Sequence, residues 1–511
     1  MLTSSWRPQP PHVVIVGGGL GGLAAASALV GRGLKLSLIE SRPRLGGRAS
    51  SFLDPTSNEP VDNCQHVSMR CCTNLADFCC RVGTKVLFRR DQTLVFLGPD
   101  GRVSTLKPGI FPAPFHLAES FLRTRYLRWG DKLRVAYGLA CLALDREDRP
   151  GESFGDWLLR HRQTVRSINL YWSTVLVSAL NERLDQMDVG HARKVFLDGF
   201  MQNREGYQLE IPLVPLGELY GTRMEAWLRE REVDVRLTTG VRSVDVDPEN
   251  GLSGITLRSG ETIRADFVIL TVPFDRVRGL ISSTMVEKIP GLSKAEGLMS
   301  SPITGIHLWF DREVCPFEHV VTVGRLIQWV FNHTAIQGRA ATEQGGQYLQ
   351  LVISAAYDLL PLDNNAILNA VLSELAEIWP ISREATLLRW RVVTEHGATF
   401  AVRPGVESHR PKQRTPVEGL FLAGDWTDTG WPATMEGAVR SGYRAAEGIL
   451  EDLGRPFSLV QPELPASWLA RRLLGDPLKP RARRQNSTLE SSDNVWSCDE
   501  AQRPRSNSVT P

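Results

Sequence analysis

Short apolar runs alternate with a helical pattern at the start of the chain. Residues 12–16 (HVVIV) and 35–39 (KLSLI) are rich in aliphatic side chains, as is typical of buried parallel strands. Between them, residues 17–22 (GGGLGG) lead into an alanine- and leucine-rich stretch that extends to about Val30. The pattern predicts a strand, a glycine turn, a helix and a second strand, which together begin a parallel α/β sheet.

The glycine turn has the spacing of a dinucleotide-binding loop. Gly17 would permit the tight turn, Gly19 would let a pyrophosphate approach the backbone, and Gly22 would let the helix pack closely on the strand. A diphosphate would then lie on free N–H groups at the positive end of the helix. Glu40 ends the second strand, where an acid accepts hydrogen bonds from a ribose. The order of these elements favours a dinucleotide site over a structural glycine loop.

A second glycine pair follows Glu40 and ends in a basic residue. Gly47 and Arg48 belong to the run RPRLGGR (42–48), which either accompanies an extended diphosphate and ribityl chain or forms a basic surface turn. Taken alone, this run leaves both interpretations open, and with them the choice between a nicotinamide and a flavin dinucleotide.

A motif near the other end of the chain indicates FAD rather than a nicotinamide dinucleotide. Residues 420–425 (LFLAGD) predict a buried strand ending in Gly424 and Asp425, and Asp425 can bind the ribityl or diphosphate region. The helix predicted from near Thr434 would direct its first N–H groups, around Met435, at negative charge on a reduced isoalloxazine. No second glycine-rich fingerprint for a nicotinamide is found. The sequence therefore predicts a single FAD, held from both ends of the chain.

These motifs resemble those of the flavin-containing amine oxidase and phytoene desaturase superfamily. Within it, several strings resemble the hydroxysqualene dehydroxylases, which are FAD-dependent enzymes of hopanoid biosynthesis; among them are VDNCQHV (61–67), ALNERLDQ (179–186), HGATFAVRPG (396–405) and GDWTDTGWPATMEGAVRSG (424–442). The resemblance spans roughly residues 12–455, and it implies a backbone contact between Val241 and the adenine. Cys64 departs from the glycine usual at that position, where a left-handed backbone would strain a cysteine.

The split motifs predict an α/β fold with two domains. The first is a discontinuous, Rossmann-like FAD-binding domain made of residues 12–85, 225–285 and 395–455. Residues 86–224 and 286–394 are left for an α+β substrate domain, with strand-like runs at 303–310 and 347–356.

Composition narrows the class of partner. The 511 residues suffice for two or three domains, and 59 Lys and Arg against 57 Asp and Glu provide no overall field to attract nucleic acid. The tail, residues 476–511, is rich in Pro, Arg and Ser and is expected to be disordered. No N-terminal apolar run of the secretory type and no membrane-spanning stretch is found, so a cytoplasmic location is expected.

The eight cysteines include two adjacent pairs, Cys71-Cys72 and Cys79-Cys80, in a helical pattern. Zinc sites normally need a C-x-x-C spacing or nearby histidines, and the sequence contains no C-x-x-C. The cysteines are therefore predicted to fill core space rather than to bind a metal.

Residues 111–150 interleave aromatic and leucine side chains with arginines, and they predict a pair of amphipathic helices. The pair would lie in a membrane interface, reaching anionic headgroups, or would pack inward as a hairpin with a solvated basic face. A C30 lipid substrate favours the first alternative. In that case the protein would contact the inner face of the cell membrane from the cytoplasm.

The resemblance implies an enzyme that reductively removes the allylic hydroxyl of hydroxysqualene to give squalene, with an external electron donor. The alternative is desaturation of a polyprenyl chain of the phytoene type, which runs the flavin in the opposite direction. An amine oxidase is disfavoured because such enzymes typically place a lysine near the flavin, whereas residues 300–310 contain none. A non-catalytic flavin scaffold is the remaining alternative.

Loss of a hydroxyl requires a proton donor, since hydroxide is a poor leaving group. His66 is the candidate acid and Asp62 the residue that would orient it, because imidazole titrates near neutral pH. The competing interpretation is that both residues only hold their loop beside the ribityl chain.

Overall fold

The structure is a computed structural model that describes residues 10–144, 149, 151–247, 251–342 and 345–475. The predicted tail therefore lies outside the described residues. The strands are β1 (His12–Val16), β2 (Lys35–Ile39), β3 (Ser51–Leu53), β4 (Pro60–Asp62), β5 (Ser68–Met69), β6 (Phe88–Asp91), β7 (Leu94–Leu97), β8 (Val103–Leu106), β9 (Leu209–Pro212), β10 (Asp234–Arg236), β11 (Val241–Asp247), β12 (Gly251–Leu257), β13 (Thr262–Arg264), β14 (Phe267–Leu270), β15 (Ser300–Phe310), β16 (His319–Thr322), β17 (Trp329–Asn332), β18 (Gln347–Ser354), β19 (Leu387–Phe400) and β20 (Leu420–Leu422).

The α-helices are α1 (Leu20–Leu29), α2 (Thr73–Arg81), α3 (Ala118–Leu122), α4 (Trp129–Leu144), α5 (Phe154–Arg160), α6 (Val165–Ser167), α7 (Ser173–Leu180), α8 (Val189–Lys194), α9 (Arg223–Arg229), α10 (Phe274–Val277), α11 (Ser283–Lys288), α12 (Pro290–Ala295), α13 (His333–Gln337), α14 (Asn364–Ile378), α15 (Met435–Asp452) and α16 (Trp468–Leu474). Segments Ile168–Trp172, Val195–Met201 and Gly217–Thr222 are wound as π-helix.

A parallel sheet of five strands, in the order β10-β2-β1-β14-β20, forms the first layer. Its strands come from the beginning, middle and end of the chain, and β1 pairs in parallel with both β2 and β14. Helix α1 is buried along its whole length and packs against α15 so closely that a Cβ on Gly442 would lie 2.1 Å from the Gly21 carbonyl oxygen. The predicted α/β fold is confirmed, whereas the domain bounds remain predictions.

A second sheet contains seven strands in the order β19-β15-β18-β17-β16-β7-β8. The strand-like runs predicted at 303–310 and 347–356 form β15 and β18, which pair antiparallel as the second and third strands of this sheet. Both are buried, and helix α14 contributes Ile367 and Val371 to the core beside them. The seven-stranded sheet therefore has a hydrophobic core of its own, which it shares with helix α14.

The helix pair predicted in residues 111–150 is only partly formed. The first half contains only the five-residue α3, whereas α4 extends over sixteen residues. Pro112 and Pro114 explain the difference, because proline lacks an N–H and disfavours helical backbone in the residue before it. Within the described ranges, no helix is both long and apolar enough to cross a membrane.

Candidate active site

The glycine turn between β1 and α1 has an open face above the helix N-terminus. Gly17 has a left-handed φ of +114°, and a Cβ on Gly22 would lie 2.1 Å from the Gly17 carbonyl oxygen, so neither position accommodates a side chain. Gly19 precedes the first turn of α1, and the nearest atom to a Cβ built there is the Gly47 Cα at 4.0 Å. The turn therefore leaves room for a diphosphate against unpaired N–H groups.

Glu40 lies directly after β2 and its carboxylate is held by backbone donors. The Gly18 N–H donates to Oε2 at 2.7 Å and the Arg42 N–H donates to Oε1 at 2.7 Å. Oε1 also accepts from the Ser41 hydroxyl at 3.2 Å, whereas Oε2 keeps a second lone pair with which the buried carboxylate can accept from a ribose hydroxyl. The Thr239 N–H donates to the Glu40 carbonyl at 2.8 Å, which brings the chain leading to Val241 to this end of the site.

The second glycine pair joins the front motif to the C-terminal motif. Gly46 forms a parallel bridge with Gly19, and Gly47 has a φ of +60°. The Arg48 guanidinium donates to Asp425 Oδ1 at 2.5 Å and to the Ala398 carbonyl at 2.8 Å. Two residues that the sequence predicts as cofactor ligands are thus brought into contact with each other, although they are 377 positions apart.

The C-terminal motif is anchored at both ends. The Gly424 N–H donates to Ser441 Oγ at 2.7 Å, and Thr434 caps α15 by accepting from the Gly437 N–H at 3.1 Å. Met435 is the first residue of α15, as the sequence predicts to within one position. Its N–H belongs to the first turn, whose donors have no partner within a helix. These positions fit a cofactor that extends from α1 to α15, although binding by each individual residue remains a prediction.

An apolar cavity of about 240 Å³ begins at the start of α15. Its lining includes Trp431 and Met435 beside that helix, Phe96 from β7, Phe200 from the π-helical segment 195–201, and Leu209 from β9. The sequence did not predict this cavity, because its lining comes from segments between residues 67 and 436 that share no pattern. The size is below the ~300–1,000 Å³ typical of small-ligand pockets, so it suits one segment of a longer chain.

The expected pairing of Asp62 with His66 is wrong. Asp62 accepts from the Ser51 hydroxyl at 2.5 Å and from the Leu216 N–H at 3.0 Å, and burial raises its pKa to about 6. His66 instead donates from Nδ1 to the Cys64 carbonyl at 2.8 Å. Asp62 ends β4 and is buried, and among the described residues no hydrogen bond joins its carboxylate to His66.

The acid role predicted for His66 is disfavoured by its surroundings. Burial lowers the pKa of His66, the Cys64 carbonyl opposes this, and the nearby Arg48 charge lowers the pKa further. The imidazole is therefore neutral near pH 7, and its Nδ1 proton is already bound to a backbone carbonyl. This arrangement agrees with the competing interpretation, in which His66 holds its loop.

Cys64 adopts an ordinary backbone conformation and is absent from the positions with left-handed φ, so the anticipated strain does not arise. It is buried against β15, where a Cβ built on Gly305 would lie 3.5 Å from the Cys64 Sγ. The missing side chain at Gly305 thus makes room for the cysteine. Burial raises the pKa of the Cys64 thiol to about 12, so it stays protonated.

Comparison with known sequences points to one family. The family model of flavin containing amine oxidoreductases matches residues 20–450. A 15-cis-phytoene desaturase of Solanum lycopersicum is 26% identical over 472 residues, covering 88% of this chain and 79% of that protein. A probable zeta-carotene desaturase of Synechococcus elongatus is 26% identical over 478 residues, covering 86% and 98%.

Solved structures share the fold. An oxidoreductase from Methanosarcina mazei has a TM-score of 0.66 at 18% identity, covering 86% of this chain and 100% of that protein. A cyclohexylamine oxidase from Brevibacterium oxydans has a TM-score of 0.61 at 18% identity, covering 87% and 100%. Together with the glycine turn, Glu40 and the start of α15, the family match leads to one conclusion. The chain belongs to the family of flavin-containing amine oxidoreductases, and it is an FAD-dependent oxidoreductase.

Proposed function

We propose that the protein desaturates a polyprenyl hydrocarbon of the phytoene type. The observation that carries this proposal is the apolar cavity that opens at the start of α15, where the isoalloxazine is predicted. Relatives named as phytoene and zeta-carotene desaturases support it over the reductive dehydroxylation of hydroxysqualene. Bound FAD would supply the hydride acceptor of the reaction.

The chain's own residues would bind and orient the hydrocarbon. Phe96, Phe200 and Leu209 provide apolar contact and exclude water from the reacting carbons. Strand β15 carries no lysine and faces the 62–66 loop with Gly305, which is why amine oxidation is not proposed. In this direction the external redox partner would accept electrons, instead of donating them as expected for dehydroxylation.

We further propose that the substrate enters from an anionic lipid bilayer. Large apolar side chains are exposed on the 110–115 loop and on helices α4 and α16; they are Ile110, Phe111, Phe115, Trp129, Leu133, Tyr137 and Trp468. Exposed arginines at 123, 128, 134, 471 and 472 accompany them and suit anionic headgroups. The His116 ring lies 5.9 Å from that of Tyr207, which lines the cavity, so the patch adjoins the cavity wall.

The test of the reaction is anaerobic. FAD-loaded enzyme is mixed with liposomes that contain phytoene, and both flavin bleaching and new conjugated double bonds are followed. Matched samples contain putrescine with the oxidised enzyme, or hydroxysqualene with the photoreduced enzyme. We expect bleaching with phytoene alone. Squalene formation from hydroxysqualene without phytoene oxidation would overturn the proposal in favour of dehydroxylation.

The test of the lipid surface is co-sedimentation with liposomes. We expect binding that rises with the fraction of anionic lipid and falls with salt. A Trp129→Asp, Leu133→Asp double substitution should abolish binding, while the same double change to alanine should only weaken it. Equal binding by wild type and the aspartate variant would refute this entry route.

A further inference from the structure

One wall of the apolar cavity carries an ion pair. The Lys194 ammonium donates to Asp198 Oδ2 at 2.6 Å, and both residues line the cavity. Their side chains are only 24% and 16% exposed. Partial removal of two charges from water costs free energy, and a hydrocarbon gains nothing from their presence. A helical ion pair four residues apart usually contributes little stability, so stability alone does not account for these charges here.

The backbone changes its winding at this ion pair. Helix α8 ends at Lys194, and the π-helical segment Val195–Met201 begins with the next residue and contains Asp198. Such segments occur frequently at functional sites. The Lys194 ammonium also lies 4.5 Å from the centre of the Trp431 ring, and Trp431 lines the cavity shortly before α15 begins. The ion pair is thus fixed beside the end of the cavity where the flavin ring is predicted.

Among the described residues that line the cavity, Glu436 is the other carboxylate. It is completely buried, and it accepts from the backbone N–H groups of Asn74 and Leu75, from the Asn74 amide and from Arg440 Nε. These donors fix Glu436 as a cap on helix α2 and as the partner of Arg440. Asp198, whose described donor is Lys194, is the carboxylate that retains accepting capacity toward the cavity.

We propose that Asp198 is the catalytic base of the desaturation, an inference that rests on the proposed function. Formation of a double bond requires the substrate to lose a hydride from one carbon and a proton from its neighbour. Bound FAD in its oxidised form would accept the hydride with its electron pair. The electron pair of the neighbouring C–H bond becomes the new π bond, and the proton goes to Asp198 Oδ. Because apolar side chains exclude water from the cavity, a fixed base is required there.

Lys194 is a positioning residue in this scheme. Its charge-assisted hydrogen bond holds the carboxylate in one orientation, and its contact with the Trp431 ring fixes the ammonium itself. After the proton is transferred, the partly exposed Asp198 can release it to solvent.

The experiment compares Asp198→Asn and Asp198→Glu with wild type in single-turnover oxidation of phytoene in liposomes. Rates are expressed per bound flavin, so that a loss of cofactor is not mistaken for a loss of chemistry. Glu225→Gln is the matched control, because Glu225 forms an ion pair with Arg229 four residues away at 2.9 Å and does not line the cavity. General-base catalysis contributes ~10²–10⁴-fold, so Asp198→Asn should be at least about 100-fold slower.

Asp198→Glu should retain more activity than Asp198→Asn, because it keeps a carboxylate, and Glu225→Gln should match wild type. Equal rates for the Asn and Glu variants, or an Asn variant within about threefold of wild type, would overturn the assignment of Asp198. If wild type itself fails to oxidise phytoene, the proposed function falls and this inference falls with it. The comparison with wild type therefore separates the two failures.

Discussion

The two ends of the candidate site are built in different ways. The dinucleotide end is made of backbone geometry: a left-handed Gly17, a Gly22 without space for a side chain, and Glu40 held by two N–H donors. The substrate end is made of side chains, such as Phe96, Phe200 and Trp431, that come from distant segments. We therefore expect substitutions in the glycine turn of the dinucleotide end to disturb the cofactor site. Substitutions at the substrate end should change specificity while the cofactor stays bound.

The largest effect is expected at Gly22. A Gly22→Ala substitution would place its Cβ 2.1 Å from the Gly17 carbonyl oxygen, and since that oxygen belongs to the backbone of the turn, the turn must shift. We expect loss of bound FAD and a strongly lowered Tm, measured by flavin absorbance and thermal unfolding. Gly130→Ala, also in the first turn of a helix but with nothing within 4 Å, is the control and should keep its flavin. Retention of FAD by Gly22→Ala would contradict the account of this turn.

The dinucleotide end could be predicted from sequence and the substrate end could not. Strands β1 and β2 have the predicted bounds because a short apolar run that ends at a glycine, in β1, or at an acidic residue, in β2, is a local signal. The cavity has no local signal, since its walls come from strands and helices that lie far apart in the sequence. The helix predicted across Pro112 and Pro114 does not form there, because proline disfavours helical backbone. The prediction followed the spacing of the aromatic residues and did not weigh the two prolines. The predicted Asp62–His66 hydrogen bond does not form because the Asp62 carboxylate accepts from Ser51 and Leu216 instead.

The next effect concerns the substrate end. Ala179 lines the cavity from α7, so Ala179→Phe should fill space that the hydrocarbon needs. We expect at least a roughly tenfold lower kcat/KM for phytoene, about 1.4 kcal/mol of transition-state binding, with unchanged flavin content. Ala226→Phe, on the exposed side of α9, is the matched control. A variant that lost flavin together with activity would show that the two ends of the site are not separable.

A smaller effect is expected from Asp62, whose pKa is raised by burial from 3.8 to about 6. The folded protein thus binds this proton more tightly than the unfolded chain does. The resulting stability is complete below pH 3.8 and is lost as the pH rises through 6, a difference of up to about 3 kcal/mol. Asp62→Asn cannot ionise and still offers an oxygen to Ser51 and Leu216.

The measurement for Asp62 is the difference in Tm between Asp62→Asn and wild type from pH 4 to pH 8. We expect this difference to move in favour of the asparagine variant as the pH rises, because only the wild type acquires a buried charge. A difference that stayed constant over this range would mean that the carboxyl titrates alike in the folded and unfolded states.

The smallest effect is expected at His66, although the sequence made it the candidate acid. Its imidazole is neutral near pH 7 because burial lowers its pKa, and its Nδ1–H is bound to the Cys64 carbonyl. His66→Ala should therefore cost about one hydrogen bond, ~1 kcal/mol of stability, and change turnover of phytoene by less than about threefold. Flavin content, Tm and single-turnover rates measure this together. A turnover rate lowered by more than about 100-fold, with native flavin content, would assign proton transfer to His66. Because desaturation releases a proton, His66 would then be its acceptor, in place of Asp198.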